Sequence, residues 1–461
     1  MKRLENSPAG RVATRIVRRL READYDAFFV GGCVRDMLLG RPPGDIDIAT
    51  SAPPEEVERL FVRTVPVGRQ FGVMLVLEGG FEFQVSTFRT ESGYRDGRRP
   101  DEVRFASARE DASRRDFTVN GLYYDPLTGE LHDWVGGQAD LKARLIRTIG
   151  PPEERFAEDR LRLLRAVRLA AQLGFEIEPA TWAAIPPRAA ELRMVSAERI
   201  REELLKLFQP PGAARGLRLL QASGLLKVVL PEVEACRGCE QPPEFHPEGD
   251  VFEHIVLMLE HLPADAPPLL PWAVLLHDIG KPRTARRDPE TGLIRFHGHA
   301  SVGAVMAESV LRRLRFPVRD IRAVSEVVRH HMQFLEVARM RRSTLRRIML
   351  RPTFPLEMEL HRLDCLGARR SLETYEILRR AWEEFRAKPE LRPPLVNGND
   401  LIALGMPRGR ELGRLLARIR DKQLAEELRT REEALAWAAQ EIRSMRTASS
   451  PGGDASKGSG V

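Results

Sequence analysis

The feature that most restricts this chain is a glycine doublet that closes a short apolar run and is followed by two acids one residue apart. Ala27-Phe28-Phe29-Val30 is ended by Gly31-Gly32, the pattern of a strand entering a turn. A helical stretch follows over Val34–Leu39 and stops at Gly40. Asp45-Ile46-Asp47-Ile48-Ala49-Thr50 alternates charged and apolar residues, as a strand with two faces does. Residues i and i+2 of a strand point to the same side, so Asp45 and Asp47 present two carboxylates to one face. Such a pair repels itself unless a cation lies between them. Oxygen-only ligands with open positions suit Mg²⁺ carrying a phosphate. Gly31 and Gly32 let backbone N–H groups approach a polyphosphate, with a helix N-terminus behind them, and Arg35 adds a positive charge. These are the parts of a two-metal phosphoryl or nucleotidyl transfer site. An isolated DxD is more often a solvated strand face; the GGxxRD block, ending nine residues upstream, changes that balance.

The pattern around this block defines a first domain. Helical spacing covers the first 25 residues, with Val12, Ile16 and Leu20 on one face. Pro53-Pro54-Glu55-Glu56 opens another helix. Val73–Leu77 and Phe81–Phe88 are two strands joined by Glu78-Gly79-Gly80. Residues 1–150 are therefore expected to form a mixed α/β domain. After Pro151-Pro152 the pattern turns helical to about Lys227. A Pro- and Glu-rich connector covers Pro231–Pro247, helices return from Val251 to about Leu366, and a further helical region runs to about Ile442. The predicted fold class is α+β: a mixed α/β head, then an all-helical body. The final residues, 446–461, are Ser, Gly and Ala and are expected to be a disordered tail.

Composition sets the outer limits. A chain of 461 residues is long enough for two to four domains. Hydrophobic residues make up 43% and charged residues 30%, a globular profile. The longest apolar run, Pro268–Leu276, is too short to cross a bilayer, and the N-terminus lacks a signal-peptide core, so no membrane association and a cytoplasmic location are expected. The net charge is +7, compatible with a polyanionic partner. Only 8 of the 73 basic residues are Lys; the bland reading of that arginine excess is codon bias. Four Cys exclude a disulfide scaffold, and Cys236-x-x-Cys239, without a second pair, is a loop feature.

At this point the motifs fall into a known order. GGCVRDMLLGRPPGDIDIAT, from Gly31 to Thr50, resembles the head of the bacterial tRNA nucleotidyltransferase and poly(A) polymerase superfamily, which has a polymerase beta-like nucleotidyltransferase fold. Arg114-Arg115-Asp116-Phe117-Thr118-Val119-Asn120 is similar to its RRDFTxN segment, Asp96–Pro100 to its mobile loop, Glu158-Asp159-Arg160-Leu161-Arg162 to its EDxxR motif, and Glu198-Arg199-Ile200 with Glu202 and Glu203 to the ER-containing helix that follows. The resemblance covers roughly residues 25–235. It implies that Asp45 and Asp47 are catalytic and hold Mg²⁺, that Gly31, Gly32 and Arg35 cradle a triphosphate, and that Arg115, Asp116 and Asn120 shape the nucleotide pocket. Arg165 and Arg168 are implied as further nucleotide-binding residues. The bland reading of the RRDF block is a capping network, since Ser113 and Asp116 are both plausible N-caps.

Asp159 and Arg162, three residues apart, would share a helix face. An Asp accepts from an exocyclic amino group, and an Arg donates to a ring nitrogen and a carbonyl. CTP and ATP both offer an amino group beside a ring acceptor on the Watson–Crick edge; UTP and GTP do not match that edge. The competing reading is an i,i+3 surface ion pair. One departure from the family stands at Gln84, where an acid is expected; Glu82, on the same strand face, is the candidate replacement.

A second constellation lies further on. Nine of the ten His fall between His246 and His361, where even spreading would put about two or three. Metal binding is the usual cause of such clustering. His254, His277-Asp278 and Asp364 match the H…HD…D set of the HD superfamily of metal-dependent phosphohydrolases. By the same resemblance, His299, His330 and His331 match the extra ligands of its two-metal members. His246, His261 and His361 are left as structural. Imidazole and carboxylate together accept Mn²⁺, Ni²⁺, Zn²⁺, Fe²⁺ or Mg²⁺, so the divalent metal is not named.

The chain is thus expected to comprise a nucleotidyltransferase head (1–150), a base-selecting and RNA-binding neck (151–240), an HD phosphohydrolase domain (245–370), a C-terminal helical region (371–445) and the tail. The expected partners are tRNA, CTP and ATP. The expected activity is template-independent addition of CCA, or part of it, to tRNA 3′ ends. The alternatives are a poly(A) polymerase, an enzyme adding only A or only CC, and a degenerate RNA-binding regulator. Intact Asp45 and Asp47 argue against the last.

Overall fold

Helix α1, Pro8–Glu22, starts where its sequence offers a cap: the Ser7 hydroxyl accepts from the Gly10 amide at 2.9 Å, and Pro8 takes the first position, where its missing N–H costs nothing. Val12, Ile16, Val17 and Leu20 are buried and the arginines point outward, so the 3.6-residue spacing becomes one packed face. In the computed structural model, which describes residues 7–42, 44–68, 72–92, 102–242 and 247–448, the chain divides into two units. One holds residues up to 239 with 250–272 and 308–321; the other holds 240–249, 273–307 and 322 onward.

The first unit is built on a mixed sheet. Its strands are β1 (Ala27–Val30), β2 (Asp47–Thr50), β3 (Thr64–Gly68), β4 (Val73–Glu78), β5 (Phe81–Thr87), β6 (Tyr123–Tyr124) and β7 (Leu131–His132), in the order β3-β4-β5-β2-β1-β6-β7. Register decides where the chemistry falls. β1 and β2 are antiparallel with Val30 opposite Asp47, which carries the glycine doublet and the acid to the same end of the sheet. β5 runs parallel to β2 with Ile48 opposite Val85, which brings Gln84 level with Asp47. One sheet face packs Phe29, Ile48 and Val85 against α1 and helix α2, Gly32–Leu38. The other face buries Phe28, Val30, Ala49, Phe88, Ala112 and Tyr123, which brings helix α3, Ala108–Ser113, under the sheet. The unit continues with helices α4 (Pro152–Glu158), α5 (Arg162–Leu173) and α6 (Ala197–Leu207).

Several expectations shift. Asp45 precedes β2 rather than lying in it; Ile46, between the acids, is buried, so the alternation survives although the strand starts later. Strand β3, the hairpin Arg89–Ser92 with Glu102–Phe105, and the two-residue β6 and β7 are too short or too polar to show a clear period. Ser113 is not an N-cap: it ends α3, whose cap is Ser107 in a capping box with Glu110. The body is not entirely helical either. Leu145–Ile146 pairs with Glu176–Ile177, and Arg286–Arg287 pairs with Ile294–Arg295. The last helix reaches Ala448, past the expected start of the tail. The loop Asp96–Pro100, His246 and the rest of the tail lie outside the described residues.

The second unit contains the end of helix α7 (Leu270–Leu276), most of α8 (His299–Arg313) and α9 (Val318–His330), and α10 (Phe354–Gly367). Two apolar clusters hold its later part, one around Phe334, Phe354 and Phe385, the other around Leu401, Leu415 and Ala438. Among the described residues no helix is long and apolar enough to cross a membrane.

Candidate functional site

A cleft of about 350 Å³ opens at the β1 and β2 end of the sheet. Its lining includes Gly31, Gly32, Asp47, Arg115, Asp116, Asn120, Asp159, Arg162 and Arg165, all expected from sequence. Gly31 is there because only glycine fits. Its backbone has φ 75° and ψ −133°, a region closed to L side chains, and a Cβ would lie 3.3 Å from Arg115 Nη1. Asp47 is half-buried, and burial first, then Asp45, push its carboxyl up, against the opposing pull of Arg115. Asp45 itself is exposed and does not line the cleft. A carboxylate whose ionisation is disfavoured by a like neighbour is the chemistry a divalent cation relieves, so the donor set fits Mg²⁺.

Two expected residues stand behind the lining. Arg35 spends its guanidinium on Asn120 Oδ1 at 2.7 Å and on Asp36 at 2.9 and 3.0 Å. Arg168 donates to Glu203 at 2.6 Å and Gln172 at 3.2 Å. Glu82 lines a different groove, with Arg19, Phe61 and Phe81, whereas Gln84 lines the cleft. Among the described residues no acid on β5 therefore stands in for the missing family carboxylate.

Sequence reasoning missed the support beneath Arg115. Asp111, 1% exposed, accepts from Arg114 Nε at 2.9 Å, Arg115 Nη2 at 3.1 Å, the Arg89 amide at 3.2 Å and the Tyr123 hydroxyl. Arg115 also donates to Tyr123 Oη at 3.0 Å and stacks over its ring. Arg89, Arg114, Gln84 and Ser86 complete the lining. The quoted RRDF block contained Arg114; nothing in the sequence marked Asp111. Asp116 is equally well held. Its Oδ1 accepts from the Phe117 amide and Asn120, and its Oδ2 accepts from Arg165 at 3.0 Å. Burial alone would raise this carboxyl, but Arg165, then Arg162, outweigh it and hold it at about 2.

The EDxxR pair corrects both sequence readings. Asp159 is on no helix: it follows α4 with φ −141° and ψ 104°, and α5 begins at Arg162. The two side chains share the cleft because the chain breaks between two helices, not because they share a helix face. Nor do they pair with each other. Asp159 Oδ2 accepts from Arg199 at 2.7 Å. Arg162 donates to Glu158 at 2.6 Å and to the carbonyls of Arg155 and Arg114.

The histidines of the second unit converge on Asp278. Nε2 of His299 and of His331 lie 3.5 and 3.6 Å from Asp278 Oδ1 and 3.2 Å from each other. In each ring Nδ1 faces a backbone carbonyl three residues back, Phe296 at 2.8 Å and Val328 at 2.6 Å. A carbonyl only accepts, so Nδ1 carries the hydrogen and Nε2 of the neutral ring is a lone pair. Burial pushes His299 down to about 4, which keeps it neutral. Asp278 Oδ1 is buried and accepts no hydrogen bond among the described residues. Three acceptors thus face one point with no donor between them. A cation ~2.1 Å from ligands at ~90–110° to one another spaces them ~3.0–3.4 Å apart, so the triad fits a metal ion. Asp278 Oδ2 is bound instead by Lys281 at 2.6 Å; His277, whose Nδ1 faces the Val274 carbonyl at 2.8 Å, brings Nε2 to 3.1 Å from Oδ2 as a further acceptor.

The other histidines and Asp364 are placed as follows. His254 is buried on Val251–Glu260 in the first unit. His330 and Asp364 are not grouped with the triad; Asp364 Oδ2 is 3.7 Å from Arg370. His297 and His261 are exposed, while His361 is buried with Nε2 2.9 Å from Thr374 Oγ1.

Comparison with known proteins finds matches along most of the chain. The family described as the Poly A polymerase head domain matches residues 27–147, that described as the probable RNA and SrmB-binding site of polymerase A matches 174–237, and the HD domain matches 250–365. A CC-adding tRNA nucleotidyltransferase of Thermus thermophilus is 38% identical over 423 residues, 89% of this chain and 93% of that protein. A CCA-adding enzyme of Latilactobacillus sakei is 43% identical over 272 residues, 58% of this chain and 68% of that protein. The crystal structure of the Bacillus stearothermophilus CCA-adding enzyme in complex with CTP is similar with a TM-score of 0.71 at 29% identity, covering 96% of this chain and 100% of that one.

Proposed function

Because the chain belongs to the bacterial tRNA nucleotidyltransferase and poly(A) polymerase family and carries an HD domain, we propose that it adds the CCA sequence to tRNA 3′ ends in the cytoplasm. The donors would be CTP and ATP, selected by protein side chains rather than a template. The observation that carries this reading is the single cleft in which Gly31, Gly32, Asp47, Asp116, Asp159 and Arg162 face one another.

In this mechanism the backbone at Gly31 and Gly32 takes the triphosphate, whose α-phosphate the tRNA 3′-hydroxyl attacks with pyrophosphate leaving. Asp45 and Asp47 would hold Mg²⁺, which when bound supplies charge neutralisation and a more acidic hydroxyl. Arg115, kept in place by Asp111 and Tyr123, presents fixed positive charge. Asp116, ionised and anchored by Arg165, accepts from the nucleotide's sugar. Asp159 accepts from the base amino group and Arg162 donates to the ring acceptor beside it. The neck, 151–240, would grip RNA.

In the HD domain, 245–370, we place a divalent metal on Asp278, His299 and His331, with His277, His330 and Asp364 as further ligands. When bound, it supplies an activated water for hydrolysing phosphoesters at RNA ends. Lys281, buried against Asp278 and Gln241, keeps that carboxylate oriented.

The near full-length match to a CC-adding enzyme favours a second reading, in which addition stops after two C residues. One experiment separates these. Purified protein is given tRNA lacking its 3′ end with CTP alone, ATP alone, then both, and product length is read. C, C, then A is the expected order; arrest after CC, even with ATP present, selects the second reading. A long A ladder on any RNA, or no incorporation, overturns both.

A further inference from the structure

We infer that Arg199 is a specificity-determining positioning residue: through its contact with Asp159 it fixes which bases the cleft accepts, without lining the cleft itself. The inference rests on the proposed role of Asp159 in reading the base.

Asp159 needs an outside support. It lies in the break between α4 and α5 in extended conformation, so neither helix holds it. Two contacts orient its carboxylate. Oδ1 accepts from the Leu161 amide at 3.1 Å, and Oδ2 accepts from Arg199 Nη2 at 2.7 Å. The first comes from two residues away and moves with the loop. The second comes from α6, and Arg199 is 22% exposed. Helix α6 is itself anchored one turn on. Glu203, 7% exposed, accepts from Arg165 at 3.4 Å and Arg168 at 2.6 Å on α5, and Arg165 reaches on to Asp116. One helix thus braces two acids of the cleft, Asp159 directly and Asp116 through Arg165.

The consequence for selectivity follows from lone-pair counting. Each carboxylate oxygen has about two acceptor sites. Arg199 occupies one on Oδ2 and leaves the other for an amino hydrogen. While the carboxylate cannot turn away, a base presenting a carbonyl at that point meets acceptor against acceptor and is rejected. Release from Arg199 lets Asp159 swing aside, so the rejection weakens more than the cognate interaction does.

The test measures kcat/KM for CTP and for UTP on tRNA lacking its 3′ end, in wild type, R199Q and R199K, each checked by thermal melting. We expect R199Q to lower the CTP-over-UTP preference at least tenfold, with a smaller fall in kcat for CTP, and R199K to fall between. A residue that only stabilised the fold would lower both nucleotides together and leave the ratio alone. A folded R199Q whose ratio stays within twofold of wild type overturns the inference; if R199Q does not fold, an unchanged ratio in R199K does so. A wild type that incorporates nothing would instead sink the proposed function, so the two failures are distinguishable.

Discussion

Asp116 illustrates how neighbours set one carboxylate. Its folded value of about 2 lies below the ordinary Asp value, so folding favours the ionised form. That stabilisation is present above about pH 4, falls by about half near pH 3 and disappears below about 2; at neutral pH it amounts to about 2 kcal/mol. Asp116→Asn should therefore melt roughly 4–8 °C below wild type at pH 6, with a smaller gap at pH 3. A gap that did not shrink on acidification would show that Arg165 and Arg162 do not hold this charge. Gly31 makes the complementary point about backbone. Gly31→Ala forces a side chain into a glycine-only conformation and toward Arg115, and should cost about 1–3 kcal/mol with a raised KM for NTP. Urea unfolding and steady-state kinetics check both.

At the scale of elements, the candidate metal site depends on how closely backbones cross. A Cβ on Gly280 would sit 2.2 Å from the His299 carbonyl oxygen and 2.8 Å from the Gly303 amide nitrogen. The absence of a side chain at Gly280 is thus what lets the start of α8 come against the turn that follows Asp278. Gly280→Ala is expected to push His299 away from Asp278 and to remove at least one equivalent of bound Mn²⁺ or Ni²⁺, measured by elemental analysis after dialysis. Full metal content in a folded G280A would refute this link. The His277-Asp278 pair was legible as a motif, but the purpose of the glycine two residues on was not, because nothing in one stretch of chain records which distant backbone will pass beside it.

For the whole molecule, two compact units and the two activities proposed for them predict a double dissociation. Asp47→Ala or Asp45→Ala should abolish nucleotide incorporation and leave hydrolysis of 2′,3′-cyclic AMP at the wild-type rate. His277→Ala should do the reverse. Both activities falling together in either variant would argue for one shared site. The two clusters were legible in sequence for different reasons: the head through ordered motifs, the histidines through crowding into a quarter of the chain. Asp111 was not, since a buried acid is marked by its partners, and two of these, Arg89 and Tyr123, lie on strands distant in sequence.

By itself the chain's order of residues determined the alternation of head and helical body, the glycine doublet beside its acids, and the identity of most cleft-lining side chains. These depend on local periodicity and on short-range chemistry. Only the tertiary structure decided that Asp159 sits in a helix break braced by Arg199, that Gln84 rather than Glu82 faces the cleft, and that two imidazole lone pairs meet one carboxylate oxygen. Each of these is set by strand register or by the crossing of helices distant in sequence, and no window along the chain contains both partners.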